Sequence, residues 1–174
     1  MRKLSLALLT LALLATPAAA SAGGLHLELS VGSGLRAGLG DVERIPTNAG
    51  VAVGYGFTDM LKLQVGAFAG LGDVKASVND TGAGKFDVDL RAMVVVSPPV
   101  IPFYLRGIAG ITDLVDGKSK VTYGGALGLG FGMFGVGAFV EAGAMQRTYS
   151  VDVGGVTASK EAWQVEGRLG ASIG

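Results

Sequence analysis

Cysteine is absent from the 174-residue chain. That excludes disulfides, on which small exported soluble domains often depend, and it excludes a lipid-modified N-terminal cysteine. Aromatic residues are sparse, at 7%, and histidine occurs once, as His26. Past Ala22 no apolar run approaches the length of a membrane-crossing helix. There is no excess of positive charge either, with 14 Lys and Arg against 14 Asp and Glu, so nucleic-acid binding has no electrostatic support. Yet hydrophobic residues make up 49% of the chain and the mean hydropathy is +0.51. With no long apolar helix to carry it, that surface must lie on strands.

The N-terminus has the layout of an export signal. Arg2 and Lys3 precede an apolar segment from Leu4 to Ala15, and Pro17 leads into Ala18-Ala19-Ala20-Ser21-Ala22. Cleavage after Ala20 or Ala22 fits the small-x-small rule, and the apolar segment is too short to cross a bilayer as a helix. Removing the signal takes two cations, which leaves twelve bases against fourteen acids and a formal charge of −2. The expected organisation is a signal over residues 1–22 and one domain over 23–174.

From Leu25 to Leu39 every odd position is apolar or small and every even position is glycine or polar, among the latter His26, Glu28 and Arg36. A period of two is that of a strand, and one this long and this sharply divided suits hydrocarbon on one side and a polar lumen on the other. The pattern returns in seven further segments. These are Ala49 to Phe57, Leu61 to Leu71, Lys85 to Val96, Phe103 to Thr112, Tyr123 to Met133, Val136 to Arg147 and Trp163 to Ile173. Ser97-Pro98-Pro99 must end the fourth, because proline cannot donate to a ladder. Polar segments from Asp41 to Asn48, Asp73 to Gly84, Thr112 to Lys120 and Asp152 to Lys160 alternate with tight turns, as in a barrel with brief periplasmic turns and larger outer loops. The expected fold class is therefore all-β, an eight-stranded antiparallel up-and-down transmembrane β-barrel.

A soluble ligand-binding barrel of the lipocalin type also uses eight strands, with the opposite polarity. Here the apolar set is too bulky for one small lumen, and the strand charges fall on the glycine-rich side. An Arg or Lys facing mid-bilayer would cost about 2 to 4 kcal/mol.

Along its whole mature length the chain resembles the small eight-stranded outer-membrane barrels of the OmpA-like and OmpX-like group. Gly54-Tyr55-Gly56-Phe57-Thr58-Asp59-Met60-Leu61-Lys62-Leu63 looks like their aromatic, Asp-containing first periplasmic hairpin, and Phe139-Val140-Glu141-Ala142-Gly143 like their inward-glutamate strand. Members of the group usually end in an aromatic residue, whereas this chain ends Ser172-Ile173-Gly174. The resemblance implies a monomeric, non-enzymatic barrel in the outer membrane of a diderm bacterium, without cofactor or metal. Outer-membrane lipids and lipopolysaccharide would surround it and the outer-membrane assembly machinery would insert it. Its role would be structural, in envelope integrity, or one of surface interaction with an extracellular ligand bound through the loops.

The polar cluster of consequence is the set of inward charges Glu28, Lys62, Asp87, Asp89, Arg91, Arg106, Glu141, Arg147, Glu166 and Arg168. Unpaired charges in a narrow lumen are costly, so these are expected to pair, as a plug that holds the barrel shut. The alternative is a narrow gated ion pore whose pairs exchange partners. His26 lacks visible partners for catalysis or metal binding and sits at the periplasmic end, whereas barrels that process lipopolysaccharide acyl chains carry a histidine-centred site near the outer rim. Gly130-Phe131-Gly132-Met133-Phe134-Gly135 spells a dinucleotide fingerprint, but the residues after it alternate with period two instead of opening a helix. Glycines at this frequency are expected to make room in the lumen for Phe68, Met93, Phe139 and Met145.

Overall fold

The structure is a computed structural model that describes residues 24–37, 43–71, 87–99, 101–112, 114–115, 119–153 and 156–174. The signal segment, the expected loop from Asp73 to Gly84, and Lys85 and Phe86 lie outside the described residues. Eight strands are present: β1 (Leu25–Ala37), β2 (Glu43–Gly56), β3 (Leu61–Leu71), β4 (Val88–Val96), β5 (Phe103–Thr112), β6 (Lys120–Met133), β7 (Val136–Val153) and β8 (Val156–Ile173). Each pairs antiparallel with the next, and β8 pairs back on β1 to close the barrel.

Alternation decides which way each side chain points. In β4, Leu90, Val94 and Val96 are exposed while Asp89, Arg91, Met93 and Val95 are buried, and β1 and β8 repeat the pattern. The barrel therefore has its apolar belt outside and its charges and most of its strand glycines inside, with a few large apolar side chains among them, the reverse of a lipocalin. Tyr123, Gln146 and Trp163 form a row across β6, β7 and β8, and below it the stretch from Trp163 to Ile173 matches the about ten residues a tilted strand needs to cross hydrocarbon. On that row Tyr123 donates to Gln146, whose amide donates to Glu161, so polar groups appear on the outer wall where the apolar belt ends. At the other end Tyr55 and Phe57 meet edge to face at 5.2 Å.

The turns at this lower end are tight. Thr58 Oγ1 accepts hydrogen bonds from the Met60 and Leu61 amides at 3.2 and 3.0 Å, which satisfies the backbone of the β2–β3 turn. Phe134 and Gly135 join β6 to β7 with φ of 56° and 80°, the positive pair of a type I′ hairpin whose twist suits the flanking strands.

Two of the expected outer loops are largely strand. Glu43 to Asn48 belongs to β2, where the pairing with β1 shifts between Gly32 and Gly34. Two β2 residues, Pro46 and Thr47, occupy the span opposite Ser33, a bulge where proline is tolerated. The bulge reverses parity, so Asn48 and Ile45 both point inward, and the period-two pattern is broken at that point. The segment from Asp152 to Lys160 is also not a loop: β7 and β8 continue as a ladder up to Val153 opposite Val156. Positions 154 and 155 lie outside the described residues, but their identity, Gly-Gly after Val-Asp-Val, is a two-residue hairpin signal. At the third segment, β5 ends at Thr112 and β6 begins at Lys120, so both ends of that loop are paired strand residues.

The β7–β8 ladder outruns its neighbours. Among the described residues pairing with β6 ends at Arg147 and pairing with β1 ends at Trp163, so residues 148–153 and 156–162 extend as a two-stranded arm. Replacing residues 148–161 by Asn-Gly would let Arg147 and Ala162, which face one another, flank a short turn. The shortened protein is expected to fold and keep a heat-dependent gel shift with a midpoint near that of the parent. Loss of the folded band would make the arm part of the barrel's cooperative unit.

Candidate functional site

Large inward side chains alternate with glycine around the lumen, because adjacent strands lie under 5 Å apart and two bulky groups cannot share one level. Phe68, Met93 and Met145 form the middle layer with Ala52, Ile108 and Ala126, at 2, 2 and 1% exposure for the first three. A Cβ on Gly66 would meet Phe68 at 3.1 Å and Ala52 at 2.8 Å; on Gly170 it would meet the Phe139 ring at 2.5 Å. Below this layer Val95, Tyr104 and Phe139 make a second cluster, the two rings packed edge to face at 6.4 Å.

Charges thread between these layers in one continuous chain. Arg106 forks onto Glu28, Nη1 donating to Oε1 and Nη2 to Oε2, each at 2.8 Å. Its Nε lies 3.3 Å from Glu141 Oε2, which also accepts from the Tyr104 hydroxyl at 2.9 Å. Glu141 Oε1 is 3.3 Å from Arg168 Nη1. Arg168 donates to Glu166, which accepts from Arg91 at 2.8 Å. Arg91 then donates to Asp89 at 3.1 Å, and Asp89 accepts from Arg147 at 3.0 Å. Arg147 also lies 3.3 Å from Asp87, just before β4. Phe68 carries two guanidiniums on its ring, Arg91 at 4.4 Å and Arg168 at 4.6 Å, so cation–π attraction ties the chain to the apolar layer.

Nine of the ten inward charges are thus brought together. Lys62 is set apart: among the described residues no carboxylate lies within ion-pairing distance of it. Three participants are neutral, so charge alone does not mark them in the sequence. Tyr104 supports Glu141, Gln64 donates to Glu28 at 3.2 Å, and Gln164 donates to Glu166 at 3.1 Å. Their inward parity within charged strands was the available signal. Arg36 also points inward and is buried, toward the outer end of β1.

At the end bearing the short turns a cavity of about 290 Å³ opens below Arg106 and Glu28. His26, Lys62, Gln64, Tyr104 and Phe139 line it, and Pro98, Pro99 and Pro102 stand at its mouth. His26 is 9% exposed. The glycine-rich motif of residues 130–135 is the end of β6 and the hairpin turn after it, with no helix.

Among solved structures the chain is similar to Neisserial surface protein A, with a TM-score of 0.57 and 13% identity over 86% of this chain and 96% of that one. The two share the closed eight-stranded barrel. The N-terminal β-barrel domain of Pseudomonas aeruginosa OprF aligns over 84% of this chain and 97% of its own, with a TM-score of 0.44 and 13% identity. No family model and no curated protein matches the sequence.

Proposed function

We propose that the chain is a non-enzymatic outer-membrane barrel, exported with loss of residues 1–22, whose lumen is held shut by its ion-pair chain. Its role is structural or is exercised at the cell surface, where the β7–β8 arm offers the largest outer element described. Each molecule forms its own barrel, inserted by the outer-membrane assembly machinery and surrounded by outer-membrane lipid and lipopolysaccharide. The observation that carries this reading is the filling of the lumen: Phe68, Met93 and Met145 are almost wholly buried, and the Arg91 and Arg168 side chains are 1% and 0% exposed. Among the described residues a lumen so packed leaves little room for water, and its buried charges are paired with one another.

Single-channel recording of the refolded protein in a planar bilayer tests it, with Glu141→Ala and Arg106→Ala beside the parent. A silent bilayer with verified insertion is expected of the parent. Discrete openings altered by those substitutions would overturn the plug and favour a narrow gated pore. One observation supports that second reading: Lys62 lines the same cavity as the Glu28–Arg106 pair, close to the carboxylate such a gate would release.

A further inference from the structure

The cavity at the short-turn end holds polar groups that the ion-pair chain does not use. Glu28 and Arg106 satisfy one another at its roof. Lys62, partly exposed, has no carboxylate within ion-pairing distance among the described residues. His26 Nε2 and Gln64 Oε1 are buried and make no hydrogen bond, in residues only 9 and 7% exposed. Leaving such atoms without a partner costs about 1 to 3 kcal/mol each, so a partner that enters the cavity would be rewarded.

Their placement is set by the strands. His26, Gly54 and Gln64 face one another in a row across β1, β2 and β3, and Lys62 lies two residues from Gln64 on the same face. The middle of that row is glycine, and the backbones of His26 and Gln64 stand about 9 to 10 Å apart, two strand spacings. A Cβ at Gly54 would meet the Gln64 side chain at 2.5 Å, so the glycine makes room for Gln64 to lie over this floor. The rest of the wall is mainly apolar, from Val95, the rings of Tyr104 and Phe139, and the prolines at the mouth, with Asp59, Ser97 and Ser172 as its further polar groups.

We propose that this vestibule binds a small carboxylate that carries a neighbouring amide N–H and an apolar side chain, the chemistry of an N-acylated amino acid or of the C-terminal end of an extended peptide. The Lys62 ammonium and the His26 ring N–H donate to the carboxylate. The Gln64 carbonyl accepts the ligand's amide N–H, and the apolar side chain lies against Val95 and Phe139. The cavity volume limits the group held to about one residue, at the small end of ligand pockets.

The test is calorimetric titration of the folded barrel in nanodiscs, where no detergent competes, with N-acetyl-leucine, N-acetyl-leucine amide and acetate. A hexapeptide ending in leucine and its C-terminal amide distinguish the peptide source from the free amino acid. Saturable binding of N-acetyl-leucine is expected, with acetate and the amide each weaker by roughly tenfold or more, the worth of one charge-assisted hydrogen bond. Lys62→Met and Gln64→Leu are each expected to weaken it by a similar factor, with the heat-dependent gel shift retained. Equal binding of acid and amide, equal binding by Lys62→Met, or no saturable heat would overturn the proposal. The comparison of acid with amide is made on the parent protein and stands even if a variant fails to fold.

Discussion

Glu141→Ala is expected to lower the stability of the barrel by about 3 to 5 kcal/mol, seen as a depressed midpoint for loss of the heat-modifiable band in micelles. The Glu141 side chain, 2% exposed, lies between Arg106 and Arg168 and accepts the Tyr104 hydroxyl. Removing it deprives two buried guanidiniums of shared negative charge and leaves the Tyr104 hydroxyl without its acceptor. Arg168→Met alone removes one of the same partners, while Glu166 keeps Arg91. The double variant is therefore expected to lose less than the sum of the single losses, because its members share one interaction. An unchanged midpoint in Glu141→Ala, or strict additivity, would show that the chain of charges does not stabilise the fold.

The second large effect comes from glycine. Gly124→Val is expected to abolish folding, because a Cβ there would lie 2.7 Å from the Met145 Cα, and closer still to the Ala144 carbonyl oxygen, backbone that cannot withdraw without parting β6 from β7. Gly167→Val is expected to fold as the parent does. That residue faces outward and a Cβ there meets nothing within 4 Å. A β-branched apolar side chain also suits a strand surface in lipid. The pair is read on one gel, as the presence or absence of the fast-migrating folded band before heating. Folding of Gly124→Val would mean that β6 and β7 can separate at this level, and failure of Gly167→Val would mean that the outer wall is more constrained than its open surroundings indicate.

The barrel was legible in the sequence because one physical demand repeats along it. A strand between two different surroundings must alternate, and Leu61 to Leu71 and Phe103 to Thr112 carry that alternation to their ends. Legibility failed where the demand lapsed. At Pro46 the bulge reverses which parity faces inward, so the outer end of β2 read as a polar loop. Above the row of Tyr123, Gln146 and Trp163, polar residues are acceptable on both faces, so the β7–β8 arm lost its two-sided pattern and only the valines around Gly-Gly marked it. The ten inward charges could be placed on the correct face from parity alone. Their partners could not, because Arg91 meets Glu166 and Arg106 meets Glu28 across the lumen, a distance that no spacing along the chain encodes. Beyond inward parity, nothing in the sequence distinguishes Tyr104, Gln64 and Gln164, for the same reason: their value lies in the neighbour opposite.

The ion pairs that cross the lumen also bear on how the barrel closes. Sliding one strand by two residues past its neighbour keeps its outward face outside and its inward face inside, so the oily pattern alone accepts several closures as equal. The charges do not. Arg106 of β5 reaches Glu28 of β1, Arg91 of β4 reaches Glu166 of β8, and Arg147 of β7 reaches Asp89 of β4, so strands that never touch side by side are checked against one another. A cylinder sealed one notch out of place would look correct to the membrane and yet hold mismatched charges at its centre. The lumen pairs thus join β1, β4, β5, β7 and β8 in one alignment that their edges alone do not demand.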